Sequence, residues 1–134
     1  GSLARQYKVS QHRQRVELEL VFDGSPWGYG GVLLFRGVVQ SWFAVPISTH
    51  DVYHFGIVIG ESRYQALIET IAILIGVRLW LPRWRDERVA IRVRSDSQAA
   101  LGALMKERSP NPHMNAVVRE IALDFAKGKY RVDF

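Results

Sequence analysis

Gln14-Arg15-Val16-Glu17-Leu18-Glu19-Leu20-Val21-Phe22-Asp23-Gly24-Ser25 is the stretch that decides the fold. Val16, Leu18, Leu20 and Phe22 alternate with other residues at the period of a strand with one buried face. The run ends on an acid, and Gly24-Ser25-Pro26 then turns the chain. A second strand is predicted from Tyr29 to Phe35, a tight turn at Arg36-Gly37 and a third strand from Val38 to Val45. Together these three make an antiparallel meander.

Ser48 to Gly60, rich in His and aromatic residues, reads as a loop. From about Ser62 to Trp80 a helix is predicted with apolar residues nearly all round, which requires deep burial against a sheet. Pro82 suits a connection just beyond it. Arg88 to Arg94 is a fourth strand, with Val89, Ile91 and Val93 on one face. Ser97 is a good N-cap for a short helix through about Lys106. After the Ser109-Pro110-Asn111-Pro112 loop, Met114, Val117, Val118, Ile121, Ala122 and Phe125 follow helical spacing. Gly128 is expected to stop that helix, and Tyr130 to Phe134 to form a fifth strand. The order βββαβααβ predicts an α/β domain whose mixed five-stranded sheet joins a meander, through a helical crossover, to a parallel strand.

Composition sets further bounds. The 134 residues suit one domain with its own core, and residues 16–134 are expected to form it. Gly1-Ser2 looks like a cloning scar, so residues 1–15 are expected to be a tag remnant and linker. Lys8, Arg13 and Arg15 would belong to that linker. The net charge of +5 favours a polyanionic partner. No cysteine is present, which excludes disulfides and thiolate metal sites and fits an intracellular setting, cytoplasmic or nuclear. The longest apolar stretch, Ala66 to Trp80, is too short to span a bilayer, and no signal peptide is visible. Neither a phosphate-cradling Walker motif nor a Gly-x-Ser-x-Gly elbow occurs.

Three acids stand in distinctive settings: Asp23 at the end of the first strand, Glu69 inside the apolar helix, and Asp96 at the end of the fourth strand. Each has an ordinary explanation taken singly: a turn residue, a solvated helix residue and a capping neighbour. A buried carboxylate is costly unless a cation pairs with it, and three converging carboxylates suit a hard divalent ion.

These residues resemble a known family. Asp23-Gly24-Ser25, Gly28-Tyr29-Gly30-Gly31-Val32-Leu33, Glu69 with Ala72, and Ser95-Asp96-Ser97-Gln98-Ala99-Ala100-Leu101 stand in the order and approximate spacing of ribonuclease H domains of retroelement reverse transcriptases. The stretch from Asn115 to Asp124 further resembles retroelements of the DIRS type. The resemblance implies a ribonuclease H-like fold and metal-dependent endonucleolytic hydrolysis of the RNA strand of RNA–DNA hybrids. Asp23, Glu69 and Asp96 would be both catalytic residues and ligands to Mg²⁺, with Mn²⁺ able to substitute. It also implies an attached polymerase domain as partner, no membrane partner, and substrate contacts from Gly24, Ser25, Ser97 and Gln98. Arg83 and Arg85, flanking Trp84, are candidates to grip a phosphate backbone, although a solvated basic loop is the commoner reading of such a cluster.

The sequence departs from the family in places. Such domains usually carry a fourth carboxylate on a helix after the fifth strand; no such helix precedes Phe134, so residues 16–134 are read either as a C-terminally truncated domain or as one that has lost that helix. The asparagine pair that often precedes the crossover helix is also absent. The missing ligand implies weak or no activity for this chain alone. The alternative reading is a catalytically inactive scaffold or nucleic-acid-binding module in a larger assembly. A DNA-cutting transposase or resolvase core is disfavoured because Glu69 lies on the first helix. His50, His54 and His113 read as loop residues, and Trp27, Trp42 and Trp80 as core or semi-core residues.

Overall fold

The computed structural model describes residues 16–134. The elements run β1 (Val16–Ser25), β2 (Gly28–Phe35), β3 (Val38–Pro46), α1 (Thr49–Phe55), α2 (Gln65–Trp80), β4 (Arg88–Ser95), α3 (Gln98–Lys106), α4 (Pro112–Ala126) and β5 (Lys129–Asp133). Single 3₁₀ turns, Ser62–Tyr64 and Leu81–Trp84, flank α2. The expected tag remnant and linker lie outside the described residues.

The five strands form one sheet in the order β3-β2-β1-β4-β5. β1–β2 and β2–β3 are antiparallel, whereas β1–β4 and β4–β5 are parallel. This is the mixed sheet read from the sequence. The register explains its two faces: Leu18↔Ile91, Leu20↔Val93 and Phe22↔Ser95 point one way, and Glu17↔Ala90, Glu19↔Arg92 and Val21↔Arg94 the other.

α2 lies against β1 and β2, α3 against β4 and α4 against β5, and the three helices touch one another on one side of the sheet. Leu20, Ile68, Ala72, Ile73, Val118 and Ile121 have no exposed surface left. Each large side chain buried this way contributes about 1.5–3 kcal/mol. The all-round apolar pattern of α2 follows from this position, enclosed between the sheet and α4. With its flanking turns, the helical run Ser62–Trp84 is in fact long and apolar enough by composition to cross a membrane, but most of it is buried here as a core helix. Glu120 and Asp124 of α4 fix its crossing with α2 by gripping Arg78, at 2.5 and 2.9 Å.

Four expectations need correction. Ser48–Gly60 contains a helix, α1, because Ser48 and Asp51 form a reciprocal capping box. His50 and His54 consequently sit on α1 and His113 in the first turn of α4, not in loops. Trp27 and Trp42 are 65% and 70% exposed, and only Trp80 is a core residue. The helix α4 does end just before Gly128, at Ala126, but Lys127 caps it in the right-handed conformation and the φ of Gly128 is not positive, so no left-handed glycine cap is involved. Instead, a Cβ at Gly128 would collide with the Tyr130 ring, whose hydroxyl donates to the Leu81 carbonyl at 2.8 Å.

Candidate active site

The parallel β1–β4 pair fixes the site. Asp23 follows Phe22, and Asp96 follows Ser95, one step beyond the pair Phe22↔Ser95. The two acids therefore stand at the carboxyl ends of adjacent central strands. In open α/β sheets this is where ligands are received. Both side chains are exposed, and neither forms a hydrogen bond or ion pair with another described residue. Asp23 continues the series Glu17, Glu19, Val21 on the face away from α2.

Glu69 comes to the same rim from the helical side. It is 2% exposed, and three hydrogen bonds reach its carboxylate locally. Oε1 accepts from the Gly24 backbone N–H at 2.9 Å and from Gln65 Nε2 at 3.2 Å, and Oε2 accepts from Ser95 Oγ at 2.6 Å. The Gln65 amide also donates to the Gly24 carbonyl. Ser95 Oγ in turn accepts from the Ser97 N–H at 3.1 Å. Three elements, β1, α2 and β4, are tied together through this one carboxylate. The approach requires glycine at 24: a Cβ there would lie 2.9 Å from Ile68 Cγ2 and 3.3 Å from the Glu69 nitrogen.

The other sequence-predicted residues divide clearly. Ser25 Oγ accepts from the N–H groups of Trp27 and Gly28, both at 3.2 Å, and shapes the β1–β2 turn. Ser97 caps α3 by accepting from Ala100 N–H at 3.1 Å, and Gln98 is exposed beside it. All three share the rim with the acids. Gly24 does too, but its N–H is already spent on Glu69 and its carbonyl accepts from Gln65. Arg83 and Arg85 lie beyond the far end of α2, towards the opposite end of the sheet, where Arg83 stacks 5.0 Å from the Trp84 ring centre.

Gln65 was missed by sequence reasoning. Its position one helical turn before Glu69 is the signal that could have found it. Beside Asp23 a shallow groove of about 390 Å³ runs over Gly28 and Gly30 to Ala44 and Val45, with Trp27 at its edge.

The donor set suits a hard divalent cation: carboxylate oxygens, with no sulfur among them. Assembly is incomplete, however. Among the described residues no three His, Asp or Glu side chains are grouped as a ready metal cage. Asp23 lies on the face of β1 away from α2, whereas Glu69 comes from α2 itself.

No protein-family model matches the sequence, and no curated protein matches it. Among solved structures, the ribonuclease H1 of the halophilic archaeon Halobacterium salinarum NRC-1 superposes with a TM-score of 0.63. At 13% identity, the match covers 87% of this chain and 83% of that one. The fold is that of ribonuclease H. It agrees with the predicted α/β class and with the mixed five-stranded sheet, element for element in the sheet.

Proposed function

We propose that this ribonuclease H-like domain hydrolyses the RNA strand of RNA–DNA hybrids, as the nuclease part of a retroelement reverse transcriptase. The observation that carries the reading is the placement of Asp23 and Asp96 at the ends of neighbouring parallel strands, with buried Glu69 on the crossover helix between them. Proteins of this fold generally use divalent metals, and Mg²⁺ is the natural ion for three carboxylates. When bound, such an ion supplies an activated water and neutralises charge at the scissile phosphate.

The chain's own residues do the remaining work. Asp23 and Asp96 are exposed and make no hydrogen bond or ion pair with another described residue, although Asp96 feels the charge of Arg94, so both can present oxygens at the rim. Glu69 is oriented beforehand by its three donors, which lowers the reorganisation needed when the site fills. Gly28 and Gly30 leave the groove beside Asp23 smooth enough for a nucleic-acid backbone to approach. Gln98 and the Ser25 hydroxyl face the same rim and can donate to a ribose 2′-hydroxyl, the group that distinguishes RNA. A net charge of +5 favours the polyanionic substrate.

The alternative is a retained scaffold that binds nucleic acid without cutting it. It is favoured by one observation, the absence of an assembled three-group metal site among the described residues. The deciding experiment incubates labelled RNA–DNA hybrid, duplex DNA and single-stranded RNA with the protein, in Mg²⁺, in Mn²⁺ or in chelator. Cation-dependent cutting confined to the RNA strand of the hybrid, leaving 5′-phosphate ends and lost in Asp96→Asn, supports the nuclease. Hybrid binding without cutting supports the scaffold.

A further inference from the structure

Glu69 poses a question of lone pairs. An ionised carboxylate offers about four acceptor positions, two on each oxygen. Oε1 is filled by Gly24 N–H and Gln65 Nε2, and Oε2 is half filled by the Ser95 hydroxyl. One position on Oε2 remains. Glu69 therefore has a single bond to offer, at the oxygen nearest β4, without breaking a hydrogen bond already made.

Both side chains that enforce this are themselves fixed. The Ser95 hydroxyl cannot rotate freely, because it accepts from Ser97 N–H while donating to Glu69. The Ser97 side chain is in turn committed to capping α3. The Gln65 amide faces two acceptors, the Gly24 carbonyl and Glu69 Oε1, so only the orientation that directs its NH₂ at both satisfies them. Neither arrangement is required for the core, which is completed by apolar contacts of α2 with β1 and β2.

We propose that Ser95 and Gln65 are positioning residues, which hold Glu69 so that the acceptor position left on Oε2 is the one it would offer a divalent cation. This rests on the metal-dependent reading above and deepens it: the site's affinity is set from outside the carboxylate triad. Partners that orient a metal's ligands commonly change affinity by about 10–100-fold when removed. Ser95→Ala and Gln65→Leu should therefore each weaken the cation by about tenfold or more. Ser95→Thr, which keeps the hydroxyl, should restore it.

The test is calorimetric titration of Mn²⁺ into the folded wild-type chain, Asp23→Asn, Ser95→Ala, Ser95→Thr and Gln65→Leu, with urea unfolding of each in parallel. Expected are binding to the wild type, loss in Asp23→Asn, weakening by about tenfold in Ser95→Ala and Gln65→Leu, and recovery in Ser95→Thr. Wild-type affinity in folded Ser95→Ala and Gln65→Leu would overturn the inference while leaving the site intact. Mn²⁺ binding that is absent, or indifferent to Asp23→Asn, would overturn the metal reading itself. Should Ser95→Ala fail to fold, Gln65→Leu alone decides, since Gln65 is only partly buried in the first turn of α2.

Discussion

Removing the Glu69 carboxylate should destabilise the fold by an amount that depends on what replaces it. In Glu69→Leu the Gly24 N–H loses its acceptor, the Ser95 hydroxyl loses its own, and Gln65 keeps only the Gly24 carbonyl. Each buried polar group left unpaired costs about 1–3 kcal/mol. Ser95 can recover part of this by turning towards water at the rim, so the loss is about 3–4 kcal/mol. Leucine also relieves the burden of a buried charge and returns about 1–2 kcal/mol of apolar burial. The net expectation is a loss of about 2 kcal/mol. In Glu69→Gln the amide oxygen still accepts from Gly24 N–H and Gln65, and only the contact with Ser95 is compromised, a loss of about 1 kcal/mol. Urea unfolding followed by circular dichroism at neutral pH would resolve the two, since both act on the midpoint and not on the slope. A leucine variant as stable as the wild type, or more stable, would refute the reasoning. It would mean that desolvation of the carboxylate outweighs the three hydrogen bonds it makes.

Other consequences follow from the same structure. Asp23→Asn should change stability by less than about 0.5 kcal/mol, because the side chain is exposed and unpaired, while abolishing hybrid cleavage; unfolding and cleavage assays on one preparation check both. Ile73→Ala, at a fully buried position of α2, should cost about 2–5 kcal/mol in urea unfolding. The carboxyl of Asp124 is partly desolvated, which raises its pKa, but hydrogen bonds from Arg78 and Lys127 outweigh this and hold it below the usual carboxylate value. Its contribution is thus present above the ordinary carboxylate pKa, near pH 4, and is lost as pH falls through the depressed folded-state value. Asp124→Asn should accordingly destabilise the protein at pH 7 by about 1 kcal/mol, the pair being partly exposed, and hardly at all once both forms are protonated; thermal melts across pH 2–7 test the sign.

The sheet was legible because its signals are local and redundant. Alternation in Val16–Phe22 and in Val89–Val93 gives each strand a buried face, and the nearly all-round apolar pattern of α2 announces a helix buried over most of its surface. α1 escaped because it has no fully buried residue and hence no apolar period; its only trace is the Ser48…Asp51 capping box. The tryptophans misled for a related reason. Ring size predicts burial on average, but Trp42 falls on the outward phase of β3, paired with Val32 on the face away from the helices. The three acids could be placed on their elements from sequence. That Asp23 and Asp96 stand side by side could not, since it depends on the β1–β4 register. Gln65 is unremarkable as a residue type, and only the proximity of Gly24 and Glu69 gives its amide a role.

The most direct test of the central claim is the initial rate of RNA-strand cleavage in an RNA–DNA hybrid, measured against Mg²⁺ and Mn²⁺ concentration for the wild type and Asp23→Asn. Equal circular-dichroism spectra would establish equal folding of the two. A saturable, cation-dependent rate in the wild type, lost in the variant, is the predicted result. Cleavage that persists in Asp23→Asn, or that proceeds undiminished in chelator, would contradict the assignment of this rim as a metal-dependent nuclease site.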